Sequence, residues 1–312
     1  MVRLLKDRGD HVVIVDDLVT GDRDRVPGTP IVELNLHDPA CIDTVTDLLR
    51  EHRIDSVIHF AGRKQVLESV QRPAWYYQQN IGGLANLLIA METAGVSRIV
   101  FSSSAAVYGA TEGESITEDA TTAPINPYGE TKLLGEQLIA RSCAAFDLSA
   151  VSLRYFNVAG AGSPDLGDRA VLNLVPMVFE KIDKGEAPII FGDDYATPDG
   201  TCIRDYIHVQ DLAEAHTAVL DYLQTADDTG HEVFNVGTGT GTSVKDMVST
   251  ILSVAHSALE PSAALRREGD PAWVVASPNR IESVVGWKSR LGLQEIVESA
   301  WQAHQLHRAE AL

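Results

Sequence analysis

The sequence predicts an α/β fold, a doubly wound parallel sheet followed by a smaller C-terminal lobe. Short β-branched runs alternate with amphipathic stretches through the first half of the chain, as in parallel strands joined by crossover helices. Near residue 160 a passage rich in Gly, Pro and Asp breaks this alternation and indicates a second lobe. We place the boundary between residues 158 and 159, and we expect segments of the second part to return to the sheet. The 312 residues, 45% of them apolar, suffice for both parts.

The elements of the sheet follow one another in regular order. Residues 1–9 have the pattern of the last turns of a helix that Gly9 ends. Strands are expected at residues 11–15, 56–60, 98–102 and 148–153. Apolar residues recurring every three or four positions predict helices at residues 42–52, 75–94, 128–145 and 293–307.

The beginning of the chain departs from a complete dinucleotide-binding unit. The helix that ends at Gly9 leads directly to a strand that stops at Asp16, and such units use this strand as their second. The first strand and its glycine-rich turn would occupy roughly 10 to 15 residues before Met1. We therefore expect a Rossmann-type sheet without its first strand, and a fuller product that begins about fifteen residues upstream. The 312 residues alone are expected to bind a dinucleotide poorly and to fold badly.

Composition limits the partners and the location of the protein. A net charge of -19 argues against nucleic acid and anionic membranes, which require clustered Lys and Arg. The chain has three cysteines, Cys41, Cys143 and Cys202. Their odd number and wide spacing exclude a disulfide framework and a CxxC zinc pair, and no metal is expected. No apolar run reaches the ~18 residues that span a bilayer, and no export signal is visible. A reducing cytoplasm is the expected location.

A serine triplet and a Tyr-x-x-x-Lys pair form the strongest chemical pattern. Ser102, Ser103 and Ser104 end a buried strand, and Tyr128 and Lys132 begin a helix. Positions i and i+4 share a helical face, so the ammonium is expected to lie near the phenol and to favour the phenolate. A phenol titrates at about 10, so it acts as a base at neutral pH only where positive charge stabilises its ionised form. A bare Tyr-x-x-x-Lys is common without any catalytic role, but the preceding serines favour the catalytic interpretation.

Asp16 indicates which dinucleotide is bound. It ends its strand, where dinucleotide-binding folds place a carboxylate that accepts hydrogen bonds from both hydroxyls of the adenosine ribose. A 2′-phosphate would be repelled there, so Asp16 favours NAD over NADP. An acid at a strand end is also commonly a turn residue or a helix cap, and that alternative stays open.

Ordered motifs from Leu4 almost to the C-terminus resemble those of the UDP-glucose 4-epimerases, in the extended short-chain dehydrogenase/reductase (NAD-dependent epimerase/dehydratase) family. The matching residues are 16–18, 60–62, 80, 102–109, 126–129, 153–157, 199–209 and 267–270. This resemblance implies an NAD-binding Rossmann domain at residues 1–158 and a mainly substrate-binding lobe at residues 159–312. It also implies a homodimer joined through helices 75–94 and 128–145.

The resemblance assigns roles to individual residues. The catalytic group would be Ser104, Tyr128 and Lys132. The residues that line NAD would be Asp16, Asp17, Asn35, Leu36, Phe60, Ala61, Gly62, Lys64, Asn80, Ser102, Tyr128, Lys132 and Tyr155. The residues that contact the UDP-sugar would be Ser104, Tyr128, Asn157, Asn173, Leu174, Phe191, Arg204, Arg267 and Asp270.

The charges agree with these implied substrate contacts. A UDP-sugar carries a pyrophosphate, and the planar multi-donor guanidinium groups of Arg204 and Arg267 suit it better than Lys would. Each Arg would otherwise be a surface salt-bridge partner. Phe191 is placed to stack on uracil, although a core aromatic is nearly as good an interpretation.

The implied reaction interconverts UDP-glucose and UDP-galactose. Tyr128 takes the proton of the 4-hydroxyl while hydride leaves carbon 4 for NAD, and the resulting 4-keto sugar turns over before hydride returns. Two alternatives stay open. A 4,6-dehydratase would need an acid pair beside the catalytic Ser, where Ala105 and Ala106 stand. A non-catalytic nucleotide-binding protein is disfavoured because Ser104, Tyr128 and Lys132 are all present.

Overall fold

The computed structural model describes residues 1–110, 115–226, 230–267 and 269–310. Helices α1 to α11 run over Val2–Asp7, Cys41–Glu51, Val66–Gln71, Pro73–Tyr77, Gly83–Ala94, Pro127–Ala145, Leu174–Lys184, Val209–Thr225, Val244–Val254, Asn279–Val285 and Leu293–Glu310. Strands β1 to β12 run over Ile14–Asp16, Ile31–Glu33, Val57–His59, Arg98–Ser104, Ser149–Tyr155, Asn157–Ala159, Ile189–Phe191, Ile203–His208, His231–Val236, Gly241–Ser243, Ser262–Ala264 and Trp273–Val274.

The chain divides into two compact units that interleave along the sequence. Unit 1 comprises Met1–Gly109, Thr121–Arg154 and Glu214–Phe234, and unit 2 comprises Ala110–Ala120, Tyr155–Ala213 and Asn235–Leu312. The domain boundary at residue 158 stays a prediction. Among the residues that the structure describes, no helix combines the length and the apolar character needed to cross a bilayer.

Unit 1 contains a four-stranded sheet in the order β3-β4-β5-β9 and a parallel pair, β1 with β2. β3 and β4 run parallel, with Val57 opposite Ile99. The central residues of β4 and β5 are buried, as expected for strands covered by helices on both faces. The core packs α2 and α5 against β4, with Leu84 and Met91 of α5 almost fully buried. Parallel strands alternating with helices confirm the predicted α/β class.

The predicted elements of unit 1 are present with shifted ends. The strand expected at residues 11–15 is instead Ile14–Asp16, the three residues that pair with Ile31–Glu33 of β2. The helix expected at residues 75–94 begins at Pro73 and contains a π-helical turn over Gln78–Gly82 between α4 and α5. Gly95 ends it with φ +77°, a left-handed conformation that suits glycine.

Unit 2 is built on β8, which pairs with β6, β10 and β12, and on a separate parallel pair, β7 with β11. Asp205 of β8 is fully buried, and its carboxylate accepts hydrogen bonds from the Thr238, Gly239 and Ala276 backbone. This carboxylate therefore ties the loop before β10 to the central strand. Apolar faces of α7, α9 and α11 form the core, with Phe179, Met247 and Ile296 buried.

Candidate active site

The start of α6 is packed closely against the end of β4. Asn126 caps the helix through a hydrogen bond from the Gly129 N–H, 2.9 Å long, and Pro127 fixes the first turn. A Cβ on Gly129 would lie 2.6 Å from the Ala106 carbonyl oxygen, so only glycine allows this approach. The sequence of the cap thereby brings Tyr128 to the residues that follow Ser104.

Tyr128 lies beside Ser104. Tyr128 is 9% exposed, and burial raises the pKa of its phenol because the phenolate loses hydration. The nearby Ser104 hydroxyl opposes that rise. Ser104 Oγ also accepts a 3.2 Å hydrogen bond from the Ala106 N–H, which fixes the serine side chain.

Lys132 lies one helical turn beyond Tyr128 and is buried. Its Nζ donates a 2.8 Å hydrogen bond to the Ser102 carbonyl and lies 6.0 Å from the centre of the Tyr128 ring. Burial lowers the pKa of Lys132 to about 8, and the nearby Glu136 carboxylate opposes that fall. Burial thus favours the protonated phenol, and the phenolate expected from the sequence stays a prediction.

Glu136 and Arg154 form a buried ion pair behind the serines, which the sequence reasoning missed. Arg154 Nη2 lies 2.6 Å from Glu136 Oε2, and both side chains are at most 7% exposed. Glu136 also accepts a hydrogen bond from Ser103 Oγ, and Arg154 donates to the Tyr108 hydroxyl. Tyr128, Lys132 and Glu136 are spaced four residues apart, a signal that places Glu136 on the same helical face but does not identify Arg154 as its partner.

Two buried histidines complete the surroundings of Lys132. His216 Nε2 lies 3.2 Å from Ser102 Oγ, and its ring packs against Phe60 with centroids 4.7 Å apart. His59 stacks on Phe101. Burial, with a smaller contribution from the Lys132 charge, lowers the pKa of His59 to about 3. His59 is therefore neutral at physiological pH and adds no second charge beside the lysine.

The residues predicted to hold the adenosine lie at the ends of β1 and β2. Asp16 Oδ1 accepts a 2.7 Å hydrogen bond from the Leu18 N–H, so this acid is a turn residue as well as a strand end. Asp17 pairs with Arg63. Asn35 Oδ1 accepts the His37 N–H at 3.2 Å. Leu36 packs on the apolar core, and its carbonyl accepts a hydrogen bond from Asn86.

The loop after β3 carries the other predicted cofactor residues. Phe60 is 47% exposed, and Ala61, Gly62 and Lys64 are also exposed. Asn80 is buried, and its amide joins the Arg63 backbone to the Thr131 hydroxyl of α6. An added Cβ on Gly62 would lie 3.7 Å from Lys132 Nζ, so this loop passes directly beside the lysine.

Unit 1 thus groups an exposed loop, a strand-end acid and a buried lysine, which suits a dinucleotide. Tyr155, at the end of β5, is half-buried and belongs to unit 2. The described ranges contain no cluster of His, Cys, Asp or Glu arranged to hold a metal ion.

Unit 2 holds the predicted substrate residues. Arg204 of β8 donates to Asp270 Oδ1 at 3.0 Å and to the Ile203 carbonyl at 2.8 Å, so its guanidinium is fixed. The Arg267 guanidinium lies 4.1 Å from the centre of the Phe191 ring. These contacts join four of the predicted residues in two pairs. Residue 268, inside the matching motif, lies outside the described residues.

The remaining predicted substrate residues are less closely joined. Asn157 is exposed on β6. Asn173 is also exposed and donates a 3.0 Å hydrogen bond to Asp168. Leu174 begins α7 and packs on the core of unit 2, which gives its side chain a structural role.

Comparison with known proteins shows extensive similarity. Residues 1–237 match the model of the NAD dependent epimerase/dehydratase family. The chain is 43% identical over 306 residues to a UDP-glucose 4-epimerase of Azospirillum brasilense, covering 96% of this chain and 86% of that protein. It is 41% identical over 301 residues to the Corynebacterium glutamicum UDP-glucose 4-epimerase, covering 96% and 89%.

The chain is also similar to solved structures of UDP-glucose 4-epimerases. The crystal structure of UDP-glucose-4-epimerase from Stenotrophomonas maltophila, with bound NAD and formylated UDP-arabinopyranose, superposes with a TM-score of 0.91 at 37% identity. The alignment covers 99% of this chain and 95% of that one. The Bifidobacterium longum UDP-glucose 4-epimerase in complex with NAD+ and UDP has a TM-score of 0.87 at 36% identity, covering 98% and 94%.

Proposed function

The chain belongs to the NAD-dependent epimerase/dehydratase family, and from that membership we propose that it interconverts UDP-glucose and UDP-galactose. The observation that carries the proposal is the packing of Tyr128 and Lys132, one turn apart at the start of α6, against the end of β4, which carries Ser104 and where Lys132 Nζ donates to the Ser102 carbonyl. This arrangement provides a phenol that exchanges a proton and a hydroxyl that relays it. Proteins at least 41% identical over most of this chain carry the name of this activity.

NAD is the proposed cofactor. When bound, NAD accepts a hydride from the sugar and returns it. Asp16 would bind the adenosine ribose through the carboxylate oxygen that is not engaged by Leu18. The exposed loop from Phe60 to Gly62 would cover the dinucleotide, and Lys132 would bind the second ribose. The residues named here as contacts of NAD all belong to unit 1.

Tyr128 is the proposed proton acceptor for the 4-hydroxyl of the sugar. Ser104 donates or accepts a hydrogen bond as the proton moves, because its hydroxyl can rotate while Oγ stays fixed by the Ala106 N–H. Burial raises the pKa of Tyr128, so positive charge at the site has to favour the phenolate before Tyr128 can accept the proton of the 4-hydroxyl. Lys132 supplies fixed positive charge on the same helical face.

Unit 2 is proposed to bind the UDP part of the substrate. Arg204 and Arg267 would take the diphosphate, and Phe191 would stack on the base. Asp270 holds the Arg204 guanidinium in place before substrate arrives. Binding energy placed on UDP leaves the hexose free to present its other face, which an inversion at carbon 4 requires.

A homodimer is the proposed assembly. Ile89 of α5 is 47% exposed and Leu134 of α6 is 39% exposed, so helices that bury their inner faces also present apolar side chains outward. A second copy of the chain would cover them. The cytoplasm is the proposed location, since none of Cys41, Cys143 and Cys202 forms a disulfide.

The test is an assay of UDP-galactose conversion by this chain in the presence of NAD. We expect UDP-glucose to appear without net accumulation of NADH, because the hydride returns to the sugar. Formation of a 4-keto-6-deoxy sugar would indicate a dehydratase instead. Binding of UDP without turnover would indicate a non-catalytic protein and contradict the proposal.

A further inference from the structure

An ion pair joins the two loops of unit 1 that are proposed to hold NAD. Asp17 follows Asp16 at the end of β1, and Arg63 lies in the loop after β3. Arg63 Nη2 donates to Asp17 Oδ2, and only 18% of the Arg63 side chain and 24% of the Asp17 side chain remain exposed. An ion pair shielded to this degree is screened by salt less than an open surface pair.

Arg63 is held from several directions. Its guanidinium donates twice to Gln79 Oε1, at 3.1 and 3.3 Å, and lies 5.3 Å from the centre of the Trp75 ring. Its backbone N–H donates to Asn80 Oδ1 at 2.7 Å, and its carbonyl accepts from Asn80 Nδ2 at 3.1 Å. The guanidinium is therefore fixed against Asp17 and is not a mobile surface cation.

The two neighbouring acids differ in what they bind. Asp16 Oδ1 accepts the Leu18 N–H, and within the described residues Asp16 Oδ2 has no hydrogen-bond partner. Asp17 uses both oxygens, one for the Val19 N–H and one for Arg63. A carboxylate at a strand end of this kind selects NAD, whereas a nearby arginine accommodates the 2′-phosphate of NADP. This chain has both groups, but Asp17 engages the arginine.

We propose that Asp17 is a specificity-determining residue of the cofactor site, because its pairing with Arg63 withholds the guanidinium from a 2′-phosphate. The inference rests on the proposed NAD site at Asp16. Selection of NAD then depends on two carboxylates with different tasks. Asp16 repels a 2′-phosphate, and Asp17 occupies the cation that would otherwise attract one.

The test is the variant Asp17→Asn, which removes the charge and keeps a side-chain oxygen for the Val19 N–H. Isothermal titration measures the affinities for 5′-AMP, adenosine 2′,5′-bisphosphate, NAD and NADP. We expect the affinity ratio of phosphorylated to unphosphorylated probe to rise on the order of tenfold, the scale of one charge-assisted hydrogen bond. The gain should shrink as salt is added, since it comes from a new charge pair.

The matched control is Asp17→Asn combined with Arg63→Met, which keeps a long side chain beside Trp75 but removes the guanidinium. The gain in the ratio should disappear in this double variant. Asp17→Ser repeats the test with a shorter side chain, and circular dichroism verifies that each variant is folded. An unchanged ratio in both single variants, or a gain that survives Arg63→Met, overturns the inference. If neither the parent nor any variant binds any probe, the proposed cofactor site fails, and this inference fails with it.

Discussion

Tyr128 and Lys132 of unit 1 lie in an environment opposite to that of Arg267 in unit 2. In unit 1, Tyr128 is 9% exposed and Lys132 is 5% exposed. Burial raises the pKa of Tyr128 and lowers the pKa of Lys132, so it favours the neutral form of each side chain. In unit 2, Arg267 is exposed above the Phe191 ring, and Arg204 keeps its guanidinium beside a half-exposed Asp270. A group that exchanges a proton gains from a tuned, dry environment, whereas a group that captures a dianion must keep its charge accessible.

The two units also hold these side chains in place by different means. Unit 1 fixes Tyr128 and Lys132 by close packing, because Gly129 and Gly135 let α6 approach the neighbouring backbone and the Phe101 ring. Unit 2 fixes Arg204 by hydrogen bonds to Asp270 and to its own strand. We therefore expect substitutions in unit 1 to change rate, pH dependence and stability, and substitutions in unit 2 to change UDP affinity.

The largest effect is expected for Tyr128→Phe. Removing the phenol oxygen takes away the proton acceptor, and general acid–base catalysis contributes about 10²- to 10⁴-fold to rate. Turnover of UDP-galactose should fall by that factor while UDP binding stays within twofold. Tyr77→Phe is the matched control, since Tyr77 donates its hydroxyl to Glu130 on the same helix α6 but lies outside the proposed proton path. Full activity of Tyr128→Phe would exclude the proposed chemistry.

The second largest effect is the contribution of Lys132 to the pH dependence of the free energy of unfolding. The pKa of Lys132 is lowered from 10.5 to about 8, so between these values the unfolded chain binds a proton that the folded chain does not. The free energy of unfolding should therefore gain a contribution that rises with pH from about 8 to about 10.5, on the order of 3 kcal/mol in total. Lys132→Met should abolish this rise in urea unfolding series. Activity that needs the ammonium should decline above pH of about 8.

The close approach of α6 and β4 can be broken at Gly135. A Cβ there would lie 2.7 Å from the Phe101 ring, so Gly135→Ala forces the helix or the ring to move. We expect a loss of about 1–3 kcal/mol in the free energy of unfolding, as for overpacked cores. Gly82→Ala is the control, since nothing lies within 4 Å of its added Cβ and helical Ala is preferred to Gly. Equal stability of the two variants would show that this packing is loose.

The sequence predicted the class of the fold and most helices of unit 1 because their signals are local. The cap at Asn126 and Pro127 and the apolar spacing of α6 lie within one stretch of chain, and they place Tyr128 and Lys132 on one face. Strand ends were predicted less well. β1 comprises the three residues that pair with β2, and the residues of a strand do not reveal where a distant partner will pair with it.

The electrostatic setting of the candidate site could not be predicted from the sequence. Whether Lys132 or desolvation controls the phenol depends on burial, which arises from packing between α6, β4 and the loop after β3. The Arg154–Glu136 pair joins β5 to α6 across 18 residues, and His216 reaches Ser102 from α8. Long-range partners of this kind have no spacing rule, unlike residues that share a helical face.

The smallest predicted effect is a change in UDP affinity, and it should differ between two adjacent arginines of unit 2. Arg267 lies over Phe191, a predicted uracil contact, whereas Arg266 pairs with Asp194 and lies over Tyr195. Arg267→Lys replaces a planar multi-donor cation with a point charge, and UDP affinity should fall by about threefold to tenfold. Arg266→Lys should leave UDP affinity within twofold, and neither change should move the pH dependence of turnover. Equal losses in both variants, measured by titration with UDP, would mean that net charge and not the Arg267 contact holds the diphosphate.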